Sequence, residues 1–562
     1  MTQRYRPFFY GSSAGCYTSI AARNQQVIAM LHSTYATNGM VVAPHHLAAE
    51  AGLDVLRDGG NAIEAMVAAA AAIAVVYPHM NAIGGDGFWI VAPPDGEPLA
   101  IDACGAAAQA ATVDFYRGNS HDSIPARGPH AALTAAGTIS GWQAALEISA
   151  QRSGKLPLAR LVSAAIGYAR DGVAVTEGQR RNTLEKLSEL DGVPGFADKF
   201  LDDGPNGKAV PEVGDLFCQP QLAATLERLA GAGLDDFYRG DIAKAIGDDL
   251  AAIGSPVVRG DLESHSASVK APLSLKIGAG TLYNMPPPTQ GLASLLILGA
   301  FDRLDCGEAD GFDFVHLLVE ASKQAFGVRD EHITDPVYMN TDPATFLRDP
   351  VIASLAAAVD PAQARQWQRG GEKGDTVWLG AIDSDGMAVS FIQSVYWEFG
   401  SGVVLPQTGI TWQNRGASFS LDAGALNELK PGRKPFHTLN PAMARLNDGR
   451  VMSYGTMGGE GQPQTQAAVF ARHVRFGQGL QAAITAPRWL LGRTWGDDSS
   501  NLKIESHFGD EVIDALRVAG HDVVVTEPFS DLMGHAGALV RGPSGIIEAG
   551  FDPRSDGRAA GF

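Results

Sequence analysis

The residue with the most distinctive chemical setting is Thr376. A charged, glycine-rich approach, Gly370-Gly371-Glu372-Lys373-Gly374-Asp375, gives way abruptly to Thr376-Val377-Trp378-Leu379-Gly380. Asp383-Ser384-Asp385-Gly386 then reads as a turn, and Met387 to Val395 as a returning strand. Threonine is a weak nucleophile unless a base removes its proton. An amino-terminal threonine carries its own base, an α-amine with a pKa of roughly 7.7–8.0. To expose that amine, the Asp375–Thr376 bond must be cut. The plausible route is attack of the Thr376 hydroxyl on the preceding carbonyl, followed by hydrolysis of the ester. From residue type alone, an ordinary β-branched residue at a strand start remains open.

Three further groups could serve such a centre. Gly455-Thr456-Met457-Gly458-Gly459-Glu460-Gly461 is a glycine-rich loop, and without a βαβ unit around it a nucleotide reading is poor. Arg415, in Trp412-Gln413-Asn414-Arg415-Gly416, offers a forked guanidinium suited to a carboxylate, with a surface salt bridge as the alternative. His437 stands in Pro435-Phe436-His437-Thr438-Leu439 as a second carboxylate-binding candidate, or as a satisfied structural histidine. Gly11-Ser12-Ser13-Ala14-Gly15 matches a nucleophile elbow formally but lacks the strand–turn–helix setting. His45 and His46 are adjacent and diverge on a helix, so they cannot chelate as an i, i+4 pair. No HExxH, Walker or EF-hand pattern occurs, so neither a metal nor a nucleotide cofactor is expected.

The elements that must position these groups are legible in order. Gly39 to Pro44 reads as a strand. His46 to Asp58 reads as a helix stopped at Gly59-Gly60-Asn61, and Ala62 to Val76 as an alanine-rich buried helix. Strands are expected at Phe88–Ala92 and Leu99–Asp102 on either side of Pro93-Pro94-Asp95-Gly96. Residues 135–330 read as mostly helical, with a strand-like stretch from Leu273 to Tyr283. Pro286-Pro287-Pro288 is a rigid loop. The chain from Thr376 onward is rich in strands.

Composition narrows the class. A chain of 562 residues carries a soft length prior of about three to four domains. Charged residues make up 19% and hydrophobic ones 45%, the balance of a globular protein. A net charge of −19 argues against nucleic-acid and anionic-membrane partners. Cys16, Cys104, Cys218 and Cys306 are scattered and read as reduced thiols. No secretory signal or membrane span is evident, so a cytoplasmic protein is expected. Residues 1–35 read as a flexible extension.

Two long stretches carry a family likeness. "VVAPHHLAAEAGLDVLRDGGNAIEAMVAAAAAIAVVYPHMNAIGGDGFWIV" and "GDTVWLGAIDSDGMAVSFIQSVYWEFGSGVVLPQTGITWQNRGASFSLD" resemble the γ-glutamyltransferase family of N-terminal nucleophile hydrolases, over about residues 38–555. The resemblance implies an α/β fold, a four-layer αββα sandwich. It implies autoprocessing at Asp375–Thr376 into residues 1–375 and 376–562, which together form one globular unit. It places the nucleophile at Thr376 and the oxyanion donors at Gly458 and Gly459. Two such heterodimers could associate.

The departures from the family bear on the substrate. The family's carboxylate-binding arginine falls at Cys104, and its acidic residue for the substrate amine falls at Ser418. Its acceptor-side residues fall at Ser394 and Tyr396, and its paired serines at His437 and Thr438. The expected substrate-binding set is therefore Arg415, Ser394, Asn414, His437 and Thr438. Trp378 and Trp412 are expected to narrow the pocket. "KPFHTLNPAMARLNDGRVMSYGTMGGEGQPQTQA" resembles more closely the branch of the family that hydrolyses oxamate to oxalate and ammonia. The implied activity is cleavage of a small amide bearing a carboxylate. A γ-glutamyltransferase or glutathione hydrolase, and an unprocessed non-catalytic relative, are the alternatives.

Overall fold

The structure, a computed structural model, describes residues 31–204, 207–367, 375–492 and 500–562, with Asp375 described by its backbone only. The Gly11–Gly15 motif, Cys16 and the approach Gly370–Gly374 lie outside the described residues.

Alternating apolar residues build two seven-stranded sheets stacked face to face. The first runs, edge to edge, through Arg558–Gly561, Gly39–Ala43, Asp375–Asp383, Ala388–Tyr396, Asp86–Ala92, Leu99–Ala103 and Ser268–Lys270. The second runs through Thr34–Ala36, Ile547–Phe551, Ala536–Arg541, Val451–Thr456, Ala442–Leu446, Gly280–Asn284 and Leu273–Ile277. Between them lies a dry layer that includes Met40, Phe88, Trp378, Ile392, Met443 and Leu539. Helices including His46–Arg57, Ala62–Val76 and Thr138–Ala150 cover the outer face of the first sheet. Gly291–Phe301, Phe312–His332 and Gln462–Phe470 cover the outer face of the second. The result is the four-layer αββα sandwich that the resemblance implied.

Both sheets contain strands from before and from after residue 375. Neither segment therefore holds a sheet of its own. Thr34–Ala36 pairs with Ile547–Phe551, and the Ser33 hydroxyl donates to Glu548 at 2.7 Å. The expected extension through residue 35 thus overruns the start of the sheet, because an edge strand of three residues is too short to register as a pattern. Leu273–Tyr283 is two strands of a hairpin, broken at Gly278-Ala279.

The strand that begins at Asp375 lies in the interior of its sheet. Its far end is tied by Asp383, whose carboxylate accepts the N–H groups of Asp385, Gly386 and Met387 in the turn and that of Ala62 at 2.8 Å. Ala62 opens the fully buried helix Ala62–Val76, which is capped by Asn61 and Glu64. Trp378 fills the space between the sheets. A β-carbon on Gly455 or Gly537 would lie 2.1 or 2.4 Å from its ring, so the second sheet has glycine at both positions facing it.

Candidate active site

Thr376 is 1% exposed and lies on an interior strand of the first sheet, next to its central strand Ala388–Tyr396. Alternation places its side chain on the face of Trp378, toward the second sheet. The partner strand bulges opposite it: Asp375 pairs with Tyr396 and Val377 with Gln393, so Ser394 and Val395 together face Thr376. The bulge is pinned by the Tyr396 N–H donating to the Ser394 hydroxyl at 2.7 Å, and it leaves Tyr396 at φ 86°. That left-handed conformation is uncommon for a tyrosine and re-aims its ring. Asp375 and Thr376 belong to one strand, so this geometry is that of the uncut chain.

The glycine loop follows the central strand Val451–Thr456 of the second sheet and meets the start of the Thr376 strand. Gly458 and Gly459 have φ of 115° and 50°, values at which other residues are strained. The loop leads into the helix Gln462–Phe470, and the Gln462 side-chain amide approaches the Thr376 hydroxyl at 3.5 Å. A buried relay fixes the loop from behind. The Gln290 amide donates to the carbonyls of Gly459 at 2.8 Å and Thr438 at 2.7 Å. Gln290 in turn accepts from Arg329, which also pairs with Glu460. Gln290 sits at the end of the triproline loop, where the Pro288 carbonyl accepts the His437 N–H.

Arg415 is 1% exposed, which removes the surface-salt-bridge alternative. Its guanidinium lies over the Tyr396 ring, 3.4 Å from the centroid, and donates to the Thr438 hydroxyl at 3.3 Å. The bulge that re-aims Tyr396 therefore also seats Arg415.

His437 packs edge-on against Phe88 and reaches the Asp86 carboxylate at 3.0 Å through Nε2. The other Asp86 oxygen accepts from the N–H groups of Gly105 and Gly137 and from the Gln413 amide. Burial raises the Asp86 pKa to about 6, while these donors favour the charged form. Burial, and then the Arg415 charge, hold His437 well below the usual imidazole range. At neutral pH a neutral imidazole thus donates its Nε2–H to a carboxylate. Nδ1 is left as an acceptor, with no hydrogen-bond partner among the described residues.

Asp86, Cys104 and His437 also bring O, S and N atoms within 4.8 Å of one another, a spacing a metal could use. The Asp86 carboxylate is already engaged by four donors, however, and burial holds Cys104 as a thiol. Both facts oppose that use.

The expected site residues therefore divide. Gln462, directly after the Gly458–Gly461 loop, links that loop to Thr376, and Gln290 links Gly459 to Thr438, which receives a hydrogen bond from Arg415. Ser394 shapes the bulge. Asn414 commits its side chain to backbone, accepting the Trp397 N–H at 3.1 Å and donating to the Ala126 carbonyl at 2.9 Å, which makes it a positioning residue. The two tryptophans do not narrow the pocket as expected. Trp378 is locked between the sheets with its Nε1–H on Ser390, and Trp412 is buried on the helical side with its Nε1–H on the Thr134 carbonyl. Their bulk is spent on core packing. Asp86, Gln290 and Gln462 escaped the sequence reading. Asp86 reads there as one residue of a glycine turn, and only its charge in an otherwise apolar strand start could have singled it out.

Comparison with known proteins follows the same lines. The family model for gamma-glutamyltranspeptidase matches residues 48–562. The oxamate amidohydrolase proenzyme of Klebsiella pneumoniae subsp. pneumoniae is 56% identical over 534 residues, 95% of this chain and 100% of that protein. A glutathione hydrolase-like proenzyme of Bacillus subtilis is 39% identical, covering 95% of this chain and 100% of that protein. Among solved structures, a cephalosporin acylase from Bacillus halodurans superposes with a TM-score of 0.86 at 32% identity, covering 100% of this chain and 99% of that one.

Proposed function

The chain belongs to the gamma-glutamyltranspeptidase family, and from that premise we propose that it is an autoprocessed amidohydrolase that converts oxamate to oxalate and ammonia. The observation that carries the substrate is the 56% identity, along its whole length, to an oxamate amidohydrolase proenzyme. The buried cation Arg415, beside the acceptor nitrogen of His437, supports it chemically.

Activation begins in the uncut chain. The Thr376 hydroxyl attacks the Asp375 carbonyl carbon, the C–N bond breaks, and water hydrolyses the ester. The products are residues 1–375, ending in a carboxylate, and residues 376–562, beginning with a free amine. That amine then takes the Thr376 hydroxyl proton as the oxygen attacks the substrate amide carbon. The N–H groups of Gly458 and Gly459 stabilise the developing oxyanion, a contribution typically of about 10²–10³ in rate per donor. The C–N bond of the tetrahedral intermediate breaks, and ammonia leaves with the proton held by the amine. Water, deprotonated by the same amine, releases oxalate from the acyl-enzyme. No step requires a cofactor.

In this pose the substrate carboxylate pairs with Arg415, and Thr438 holds the guanidinium in place. The His437 Nδ1 lone pair accepts an amide N–H of the substrate. Binding of the carboxylate so near the scissile carbonyl restricts the substrate to a short acid. The expected binding to Ser394 and Asn414 becomes support of the bulge and the Arg415 loop. Two processed heterodimers associating, with no nucleic-acid or membrane partner, is the assembly reading we retain as part of the proposal. Among the described residues, no helix is long and apolar enough to cross a membrane.

The test is ammonia release from the purified, processed protein over oxamate, glutamine and glutathione. Oxamate as the fastest substrate is expected. Faster release of glutamate from a γ-glutamyl anilide would instead favour the glutathione-hydrolase reading. A single full-length band on a denaturing gel would count against catalysis altogether, whereas the smaller fragment should begin Thr-Val-Trp-Leu-Gly.

A further inference from the structure

Lined by none of the residues assigned to the Thr376 site, a cavity of about 410 Å³ opens between the short helix Phe196–Phe200, the start of the helix Pro220–Ala232 and the loop Val404–Gly409. Leu222, Val404, Leu405 and Pro406 form an apolar wall. Lys199 lines the cavity. Its amine donates to the Gly409 carbonyl at 3.0 Å and the Thr411 hydroxyl at 3.1 Å, and it makes no ion pair with a carboxylate among the described residues. Gln219, 3% exposed, lines the same cavity; its amide nitrogen donates to the Val75 carbonyl, and its oxygen has no hydrogen-bond partner among the described residues. The other titratable groups on the wall are Asp198 and the exposed thiol Cys218.

These features set Lys199 apart from an ordinary surface lysine. Two neutral acceptors orient the half-buried amine, the Phe200 ring centroid lies 5.3 Å from it, and among the described residues no carboxylate compensates its charge. Burial lowers its pKa to about 7, so a large share of the amine is neutral under physiological conditions. A neutral, oriented lysine amine in an apolar pocket is a nucleophile toward carbonyl carbon.

We propose that Lys199 and this cavity form a second reactive site, which captures small apolar or aromatic aldehydes as an imine. The amine nitrogen bonds to the aldehyde carbon to give a carbinolamine. That intermediate loses its hydroxyl with a proton as water, leaving a C=N bond and no change in oxidation state. This site is independent of the amidohydrolase reading, because no residue of it belongs to the Thr376 machinery.

The probe is benzaldehyde with sodium cyanoborohydride, whose hydride reduces the imine to a stable secondary amine, followed by peptide mass mapping of the processed protein. The Lys199 peptide is expected to label at pH 7 at least about tenfold faster than exposed lysines, which at a pKa near 10.4 are almost wholly protonated there. Its labelling rate should be half-maximal near pH 7. The amino-terminal amines also react at this pH and are read as separate peptides. Lys199→Arg should abolish that label while leaving self-cleavage and ammonia release unchanged. Label distributed over lysines according to exposure, or a half-maximal rate near pH 10, overturns the proposal. If the variant fails to fold, nuclear magnetic resonance titration of the lysine side chains in the unmodified protein decides the matter: no lysine titrating near 7 is equally fatal.

Discussion

The two ends of the site are built from opposite materials. At the proposed reacting end stand one hydroxyl and two glycines, held by strand ends and by a relay through Gln290 and Arg329. At the proposed binding end stand Arg415, His437 and Asp86, each at most 1% exposed, with Asp86 held by the Gln413 and His437 side chains and two backbone N–H groups. Backbone donors suit a reaction in which charge appears only transiently, since fixed dipoles need no reorganisation when it does. A permanent substrate charge needs a permanent counter-charge, and burying that counter-charge requires a surrounding network. The difference implies that the chemistry tolerates few changes at Thr376, whereas specificity can be altered without touching self-cleavage.

Four substitutions probe that separation. The largest effect is expected for Thr376→Ala, which removes the nucleophile of both reactions. It should leave one full-length band on a denaturing gel and no measurable ammonia release, while Thr376→Ser should still be cut. Two bands from the alanine variant would assign cleavage to another residue.

Next in size is Arg415→Ala. Loss of a buried charge pair to substrate typically costs about 2–5 kcal/mol, so kcat/KM for oxamate should fall by about 10²–10³ or more, with cleavage into two fragments retained. Arg415→Lys should recover only part of the loss, since an ammonium lacks the planar fork. Unaltered oxamate kinetics in the alanine variant would take Arg415 out of the site and join the two ends into one function.

Asp86→Asn sharpens the comparison within the binding end. The carboxylate receives four donors, three on one oxygen and His437 on the other. An amide keeps one acceptor oxygen for the three and turns its NH₂ toward His437. The imidazole must then accept through Nε2, and Nδ1 becomes a donor. We expect a loss of about tenfold in kcat/KM, the scale of one displaced hydrogen bond. The pH profile should separate this role from a merely structural one. Protonation of Asp86 has the same consequence as the amide, so the native protein should lose activity as pH falls through about 6. The Thr376 amine, with a pKa of roughly 7.7–8.0, gives both proteins one acid limb; the second, steeper fall below about 6 should be missing from the variant, and its persistence would dissociate Asp86 from it.

The smallest functional effect is expected for Trp378→Phe. It leaves a void between the sheets and deprives the Ser390 hydroxyl of its indole partner. Unfolding free energy should fall by about 1–3 kcal/mol in denaturant titration, with turnover per folded molecule within about twofold of the parent. A large drop in turnover would return Trp378 to the pocket, where the sequence reading had put it.

Much of this molecule was visible in local pattern. The Thr376 hairpin, the helix stop at Gly59-Gly60-Asn61, the buried alanine helix and the glycine pair each announce themselves within about fifteen residues. Arg415 stood out against the lost family clamp, because a forked guanidinium suits a carboxylate. What could not be read was which face each residue takes and what it meets. Trp378 and Trp412 differ from pocket residues only in orientation, and orientation came from the pairing of whole sheets.

By itself the sequence determined the elements, because periodicity and turn chemistry are local properties, and its family resemblance marked Thr376 as the nucleophile candidate and the amino-acid clamp as lost. The tertiary structure decided the Asp86–His437 contact across 351 residues, the bulge that turns Tyr396 beneath Arg415, and the Gln290 relay behind the glycine loop. These depend on strand register and on the stacking of two sheets woven from both halves of the chain. Such long-range order is set by the burial of whole faces, and no short window of residues encodes it.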